Sequence, residues 1–276
     1  MIPLDSRIPE HVLRFWRALD ALFGRVEPTR WGAVVTDGRF PAVWDANYAR
    51  VDVAAADLTL AEVEASLLPA LLETGSSVQH VVSFYPRATE RLLQELADRG
   101  HRLTWDLVMD LDVQPPAEGS WQVEALPNGP ELWGRVRESL ALFGIDDDTT
   151  ADQLARIERD VLAPGSKRWF GVRDDGGDLT SLGALLVLDD VGYIDNVATF
   201  EHARGRGLAS AVTAHMIGVA VRGGASHVCL FADADDRSVV GMYERLGFRH
   251  AGVLAATRGP VDPGAINRAD RGSGQP

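Results

Sequence analysis

From Ala198 to Met216 the chain reads ATFEHARGRGLASAVTAHM, an extended apolar segment that breaks at Arg204, Gly205, Arg206 and Gly207 and resumes as small and apolar residues with helical spacing. The N–H groups in the first turn of a helix lack intrahelical acceptors and sit at the positive end of its dipole, so they bind phosphate oxygens well. Gly205, Gly207 and Ala209 permit close approach, and Arg204 and Arg206 add positive charge. Two readings stand on these residues alone: a phosphate cradle, or a turn whose glycines supply unusual dihedrals. The spacing is neither the GxGxxG of a dinucleotide site nor the GK[ST] ending of a P-loop, which disfavours dinucleotides and ATP.

The chain of 276 residues is long enough for two domains, each burying its own core. With 46% apolar residues it reads as globular, and no run approaches the roughly 18 apolar residues of a membrane span. The N-terminal stretch MIPLDSRIPEHVLRFWRALDALFG mixes acids and arginines into an amphipathic helix marked by Phe15, Trp16, Leu19, Leu22 and Phe23, unlike a secretory signal. A single cysteine, Cys229, excludes an intramolecular disulfide and leaves no CxxC-type metal site, so a cytoplasmic location without a metal is the expectation. A net charge of −13 would repel a phosphate backbone, which disfavours a nucleic-acid partner. The acidity serves solubility or favours a cationic substrate such as an amine.

Outward from the glycines, apolar periodicity gives strands within 31–55, 78–86 and 101–112 and helices within 59–75 and 88–100, with Pro69 placed to kink or break the first. A Pro- and Gly-rich linker is expected at 113–120. Beyond it come a strand at 121–126, helices within 129–144 and 149–163, and strands within 168–176, 179–190 and 192–200. The helix from Leu208, a strand at 227–233, a helix at 237–247 and a strand at 249–258 follow, with a disordered tail expected over 261–276. An offset of 147 residues, without a gap, superposes Gly247 on Gly100, His227 on His80, Val228 on Val81 and Arg249 on Arg102, and the strand, helix and strand around them coincide. The chain thus reads as an internal duplication. At that offset RGRGLA, 204–209, faces DLTLAE, 57–62, and Tyr243 faces Leu96, so the first half has neither the glycines nor the tyrosine.

Arg204, two residues, Gly207, one residue, Ala209 matches [RQ]xxGx[GA], and DRSVVGMYERLGF matches NxxAxxxYxxxGF with Tyr243, Gly247 and Phe248 in register. These signatures, in this order, resemble those of the GNAT N-acetyltransferase superfamily over residues 121–258, and the first half resembles a degenerate domain of the same kind. The layout, inactive then active, is similar to that of the mycothiol synthase family. The resemblance implies an α/β (α+β) architecture of two tandem GNAT domains, 1–112 and 121–260, each a mixed, mostly antiparallel twisted sheet flanked by helices.

It further implies that acetyl-CoA lies between two splayed strands, GYIDNVATF and HVCLFAD. Val197, Ala198 and Thr199 would pair with the pantetheine arm, and an N–H near Val197 would serve the thioester carbonyl as an oxyanion donor. Arg204, Gly205, Arg206, Gly207, Leu208, Ala209 and Ser210 would take the pyrophosphate, with Asp236 and Arg237 as further cofactor contacts. Tyr243 would be the acid that protonates the departing thiolate. The sequence departs from the family at Asp236, Val239 and Glu201, where Asn, a small residue and Pro are usual. Tyr193 stands where many relatives carry a glutamate base, and Asp195, two residues on and on the same strand face, is the base candidate or else a structural hydrogen-bond partner. His202 reads as a phosphate or solvent contact, Cys229 as buried, and Trp169, Phe170 and Phe143 as core or acceptor pocket. The implied function is acetyl transfer to the primary amine of a small molecule, with a non-catalytic acyl-CoA-binding sensor as the alternative. A monomer and a homodimer fit equally.

Overall fold

A computed structural model describes residues 8–111 and 121–261. The expected linker at 113–120, and all but the first residue of the expected tail, lie outside the described residues. Two compact units emerge. The first takes its described residues from 8–9, 19–107 and 252–261, the second from 10–18, 108–111 and 121–251. Each unit therefore includes a short segment that is distant in sequence from its main body.

The first unit has strand order β1-β2-β3-β4-β11-β5, with β1 Arg25–Thr29, β2 Gly32–Thr36, β3 Tyr48–Val51, β4 Val78–Ser83, β5 Arg102–Leu111 and β11 Arg249–Pro260. β3 and β4 run parallel, whereas β1-β2, β2-β3 and β4-β11 are antiparallel. Helices α2 (Leu60–Thr74) and α3 (Glu90–Asp98) contribute Leu60, Val63, Leu67, Leu68, Leu71, Leu92 and Leu96 to a core with Trp31, Val51 and Val81. α2 runs unbroken through Pro69 to a left-handed Gly75. Pro69 lies on the exposed face, as does Ala65, whose carbonyl loses its helical donor there and can be served by water. The periodicity gave no hint of β1, RVEPT; its proline is tolerated because the strand is at the sheet edge.

The second unit has the order β5-β10-β9-β8-β7-β6, with β6 Glu124–Leu126, β7 Arg168–Arg173, β8 Leu179–Leu188, β9 Val191–Thr199 and β10 His227–Asp233. Its helices are most of α1 (Glu10–Asp20), then α4 (Pro130–Leu140), α5 (Asp148–Ile157), α6 (Leu208–Arg222) and α7 (Arg237–Arg245). Trp169 is core, packed with Leu132, Val136, Leu182 and Phe200, while Phe143 is exposed. α6 lies close on β8 because Gly183 faces it: a Cβ there would stand 2.8 Å from the Met216 methyl and 3.1 Å from a Val212 methyl. Among the described residues no helix is long and apolar enough to cross a membrane.

The 147-residue offset relates α3 to α7 at both ends, and the first residue of β5 to that of β11. α2 and α6 correspond with one residue more, so Thr59 is the counterpart of Gly207. In the first unit the Thr59 side chain caps α2 by accepting the Glu62 N–H at 3.3 Å, and Glu62 places an acid in the first turn. Such caps are worth about 1 kcal/mol, so Thr59→Ala should lower the midpoint of urea unfolding by an equivalent amount without changing its slope.

Candidate functional site

β9 pairs in parallel with β10 from Val191–His227 to Ile194–Leu230, and the register ends there although both strands continue. Its other edge stays antiparallel to β8, but with a bulge: Ala184 opposes Asp195 and Leu182 opposes Ala198, leaving two β9 residues, Asn196 and Val197, against Gly183. Asn196 adopts φ 52°, a left-handed conformation that asparagine tolerates better than most residues. The Asp195 carboxylate braces this turn by accepting the Asn196 N–H at 2.8 Å. Bulges bend and twist the strand that carries them, which is how β9 parts from β10.

Past the bulge, the Ala198 carbonyl accepts from the Ser181 hydroxyl at 2.9 Å and the Phe200 N–H donates to the Thr180 carbonyl at 3.0 Å. Strand alternation then turns the backbone groups of Val197 and Thr199 to the opposite edge, where β10 has left. Of the three residues expected to line that edge, Ala198 is thus directed to β8 instead. The Thr199 carbonyl accepts weakly from Arg204 Nε at 3.3 Å.

After β9 comes a short turn at Glu201–Ala203, and then the glycine stretch. Gly205 and Gly207 have φ 76° and 78°, so the left-handed backbone requires them, and a Cβ on either would meet nothing within 4 Å. Gly207 is the N-cap of α6, with no side-chain cap and no acid in the first turn. The first intrahelical bond runs from Ala211 N–H to the Gly207 carbonyl. The N–H groups of Leu208, Ala209 and Ser210 precede it and so have no intrahelical acceptor. Arg206 lies over the Trp121 ring at 5.1 Å, and Trp121 donates to the Arg206 carbonyl at 3.1 Å, which anchors the loop. This end of α6 is an uncapped anion-binding geometry facing open space.

At α7, Asp236 is occupied as the N-cap: its carboxylate accepts the Ser238 and Val239 N–H groups, both at 3.1 Å, and the Val239 bond above all holds its pKa below the usual range. Arg237 beside it is exposed. Tyr243 is buried, edge-on to Phe248 at 5.8 Å. Burial, then the charges of Asp195 and Asp236, push its phenol well above the ordinary value, so it stays protonated at any physiological pH.

Asp195 is not a free carboxylate. Lys167 Nζ sits 2.7 Å from its Oδ2 and 2.8 Å from Glu158 Oε1, and Asn196 Nδ2 donates to Glu158 at 3.0 Å. Lys167 and Glu158 are buried, while the Asp195 side chain keeps 32% exposure, so the cluster has one open, acidic end. Burial raises the Glu158 pKa against the pull of Lys167; for Lys167 the two carboxylates outweigh burial and raise it. Sequence reading missed Lys167 and Glu158, because a lysine before a strand and a glutamate in a helix carry no local signal. Glu158 opens a π-helical segment, Glu158–Leu162, that continues α5, a departure from regular helix that often accompanies functional sites. Tyr193 is an aromatic packing residue, within 5.2 Å of Phe15 and 5.6 Å of Phe231 between ring centres. His202 is exposed and stacks on Phe200. A separate group, His11, Asp110 and His227, also converges in this unit, from positions with no shared short-range spacing.

Residues 133–248 match the acetyltransferase (GNAT) family. No curated protein matches the chain. Solved structures of similar fold include a functionally unknown conserved protein from Staphylococcus epidermidis, 12% identical with TM-score 0.68 over 86% of this chain and 93% of that one. A GCN5-related N-acetyltransferase from Kribbella flavida is 16% identical with TM-score 0.59 over 90% and 95%. A tandem GNAT protein from the clavulanic acid biosynthesis pathway is 12% identical with TM-score 0.54 over 85% and 81%. The fold is therefore the mixed α/β fold of tandem GNAT proteins.

Lys167→Met would leave two carboxylates facing one another without their cation, a loss of about 3–5 kcal/mol for a buried pair. The deficit in urea unfolding should be largest at alkaline pH and shrink as pH falls and Glu158, whose pKa burial already raises, takes up a proton. In the unaltered protein the raised Lys167 pKa keeps its contribution intact below about pH 10.5, to be lost only as pH rises through the higher folded value.

Proposed function

We propose, from the match of residues 133–248 to the acetyltransferase (GNAT) family, that the second unit transfers an acetyl group from acetyl-CoA to the primary amine of a small molecule in a ternary complex. The observation that carries this reading is the uncapped start of α6 at Gly207, beside the edge of β9 that β10 has left. The α6 N–H groups suit a pyrophosphate, with Arg204 and Arg206 adding charge. The amides of Val197 and Thr199 suit an extended chain that itself carries amides, and the Val197 N–H, next to the bulge, would polarise the thioester carbonyl.

Acetyl-CoA, when bound, supplies an acyl group activated as a thioester. The remaining work belongs to the chain. Asp195 presents the exposed end of a cluster of two carboxylates and one ammonium, which attracts a cationic amine and receives its proton directly or through water. The neutral nitrogen forms the new bond to the acetyl carbon as the carbon–sulfur bond breaks, and Tyr243 donates a hydrogen bond to the departing sulfur. The balance closes with an amide, free CoA thiol and no redox change.

A second reading, an acyl-CoA-binding protein without turnover, is favoured by one observation: Lys167 and Asn196 already engage the Asp195 carboxylate. Thiol release from acetyl-CoA over a panel of amines separates the two. Amine-stimulated release supports the transferase; tight CoA binding with no release under any amine supports the sensor.

Gly207→Val, which strains a left-handed N-cap and crowds the anion site, should raise the KM for acetyl-CoA about tenfold, a loss of about 1.4 kcal/mol, with a smaller effect on kcat. Tyr243→Phe should instead lower kcat, by about a hundredfold, with little change in that KM. Because the phenol pKa is raised, the pH profile of the unaltered enzyme should show no alkaline fall from Tyr243 ionisation up to about pH 10.

A further inference from the structure

His11 on α1, Asp110 on β5 and His227 on β10 bring one ligand atom each within 4.8 Å of one another. The two imidazoles stack face to face, centroids 3.8 Å apart and 4° from parallel. His11 Nε2 stands 3.1 Å from Asp110 Oδ2. That separation is close to the roughly 3.3 Å expected between two ligands held at about 2.0–2.1 Å on a tetrahedral ion.

The polar atoms here are short of partners. Both His11 Nε2 and Asp110 Oδ1 are buried without a hydrogen-bond partner among the described residues, so the His11–Asp110 approach does not have the geometry of a hydrogen bond. Leaving such atoms unsatisfied costs about 1–3 kcal/mol each. A cation at His11 Nε2 and the Asp110 carboxylate relieves the shortage, taking a ring lone pair and the carboxylate charge; His227 joins as the third ligand by turning its ring out of the stack, because the in-plane lone pairs of parallel rings do not converge on one point.

We propose that His11, Asp110 and His227 form a binding site for one divalent transition-metal ion, with Zn²⁺ as the ion that best fits two imidazole nitrogens and one carboxylate oxygen. The His11 and Asp110 side chains retain some exposure, 13% and 18%, which places the group near the surface. The site ties a helix to two strands of the second unit and takes no residue from the glycine loop, the bulge or Tyr243. Its role is to fasten α1 in place, a role independent of acetyl transfer.

The test uses the full chain, stripped with chelator and then titrated with Zn²⁺ or Co²⁺ alone. One equivalent of Co²⁺ should give the intense visible absorption of a four-coordinate ion, and Zn²⁺ should displace it and raise the melting temperature. His227→Asn and Asp110→Asn should each weaken Zn²⁺ binding about a hundredfold or more. Should either variant fail to fold, competition between unaltered protein and a chromophoric chelator still reads stoichiometry and affinity. Absence of the Co²⁺ bands, no binding against the chelator, or an unchanged response in both folded variants would overturn the proposal. A failure here leaves thiol release from acetyl-CoA unaffected, so the two readings fall separately.

Discussion

β9 must keep a full antiparallel partner on one edge and lose its parallel partner halfway along the other. Everything at the candidate site depends on that constraint. A strand that merely frayed would expose amides at both edges and hold none in place; here β8 continues to fix β9 through Ala198 and Thr199 while pairing with β10 ends at Leu230. The device is two residues against one, with Asn196 left-handed and Asp195 bracing its N–H. The Lys167 ammonium then locks the braced turn to Glu158 on the helical segment that follows α5. A buried ion cluster is a costly way to gain stability, since desolvation offsets most of the attraction. It is a direct way to fix the geometry of a bulge.

The two units make the same argument by contrast. Each has a parallel strand pair linked by a long helix, yet the start of that helix differs. In α2 the Thr59 side chain and the acid Glu62 satisfy the first turn from within. In α6 the equivalent positions are Gly207 and Ser210, with neither cap nor acid. A helix start that is internally satisfied has nothing to offer an anion, and Glu62 would repel one. One duplicated scaffold thus carries one candidate anion site, and the difference lies in two side chains.

Much of this was legible in the sequence. The 147-residue offset located α3 against α7 and β5 against β11, because turn glycines and strand ends punctuate both halves alike. Gly205 and Gly207 were legible because only glycine serves a left-handed loop at little cost. The rest was hidden for physical reasons. β1 contains a proline and shows no apolar periodicity, so only its position at the sheet edge explains it. Lys167 and Glu158 meet Asp195 through folding alone, as do His11, Asp110 and His227. Ala198 read as one of three consecutive cleft residues, but the pleat turns alternate residues to opposite edges, and the bulge sets which ones.

The state of Tyr243 constrains what it can do in the proposed transfer. An ordinary phenol titrates near 10 and an ordinary thiol near 8.5, so handing a proton outright from one to the other is uphill by about 2 kcal/mol. Burial and the carboxylates of Asp195 and Asp236 raise the phenol further and enlarge that gap. Tyr243 therefore contributes most as a neutral donor whose hydrogen bond strengthens as negative charge grows on sulfur, which favours the transition state over the bound thioester. The proton that finally neutralises the thiolate is balanced by the one the amine nitrogen gives up. On this account the carboxylate that draws in the cationic amine also adds to burial in raising the phenol pKa, which couples the two ends of the site electrostatically.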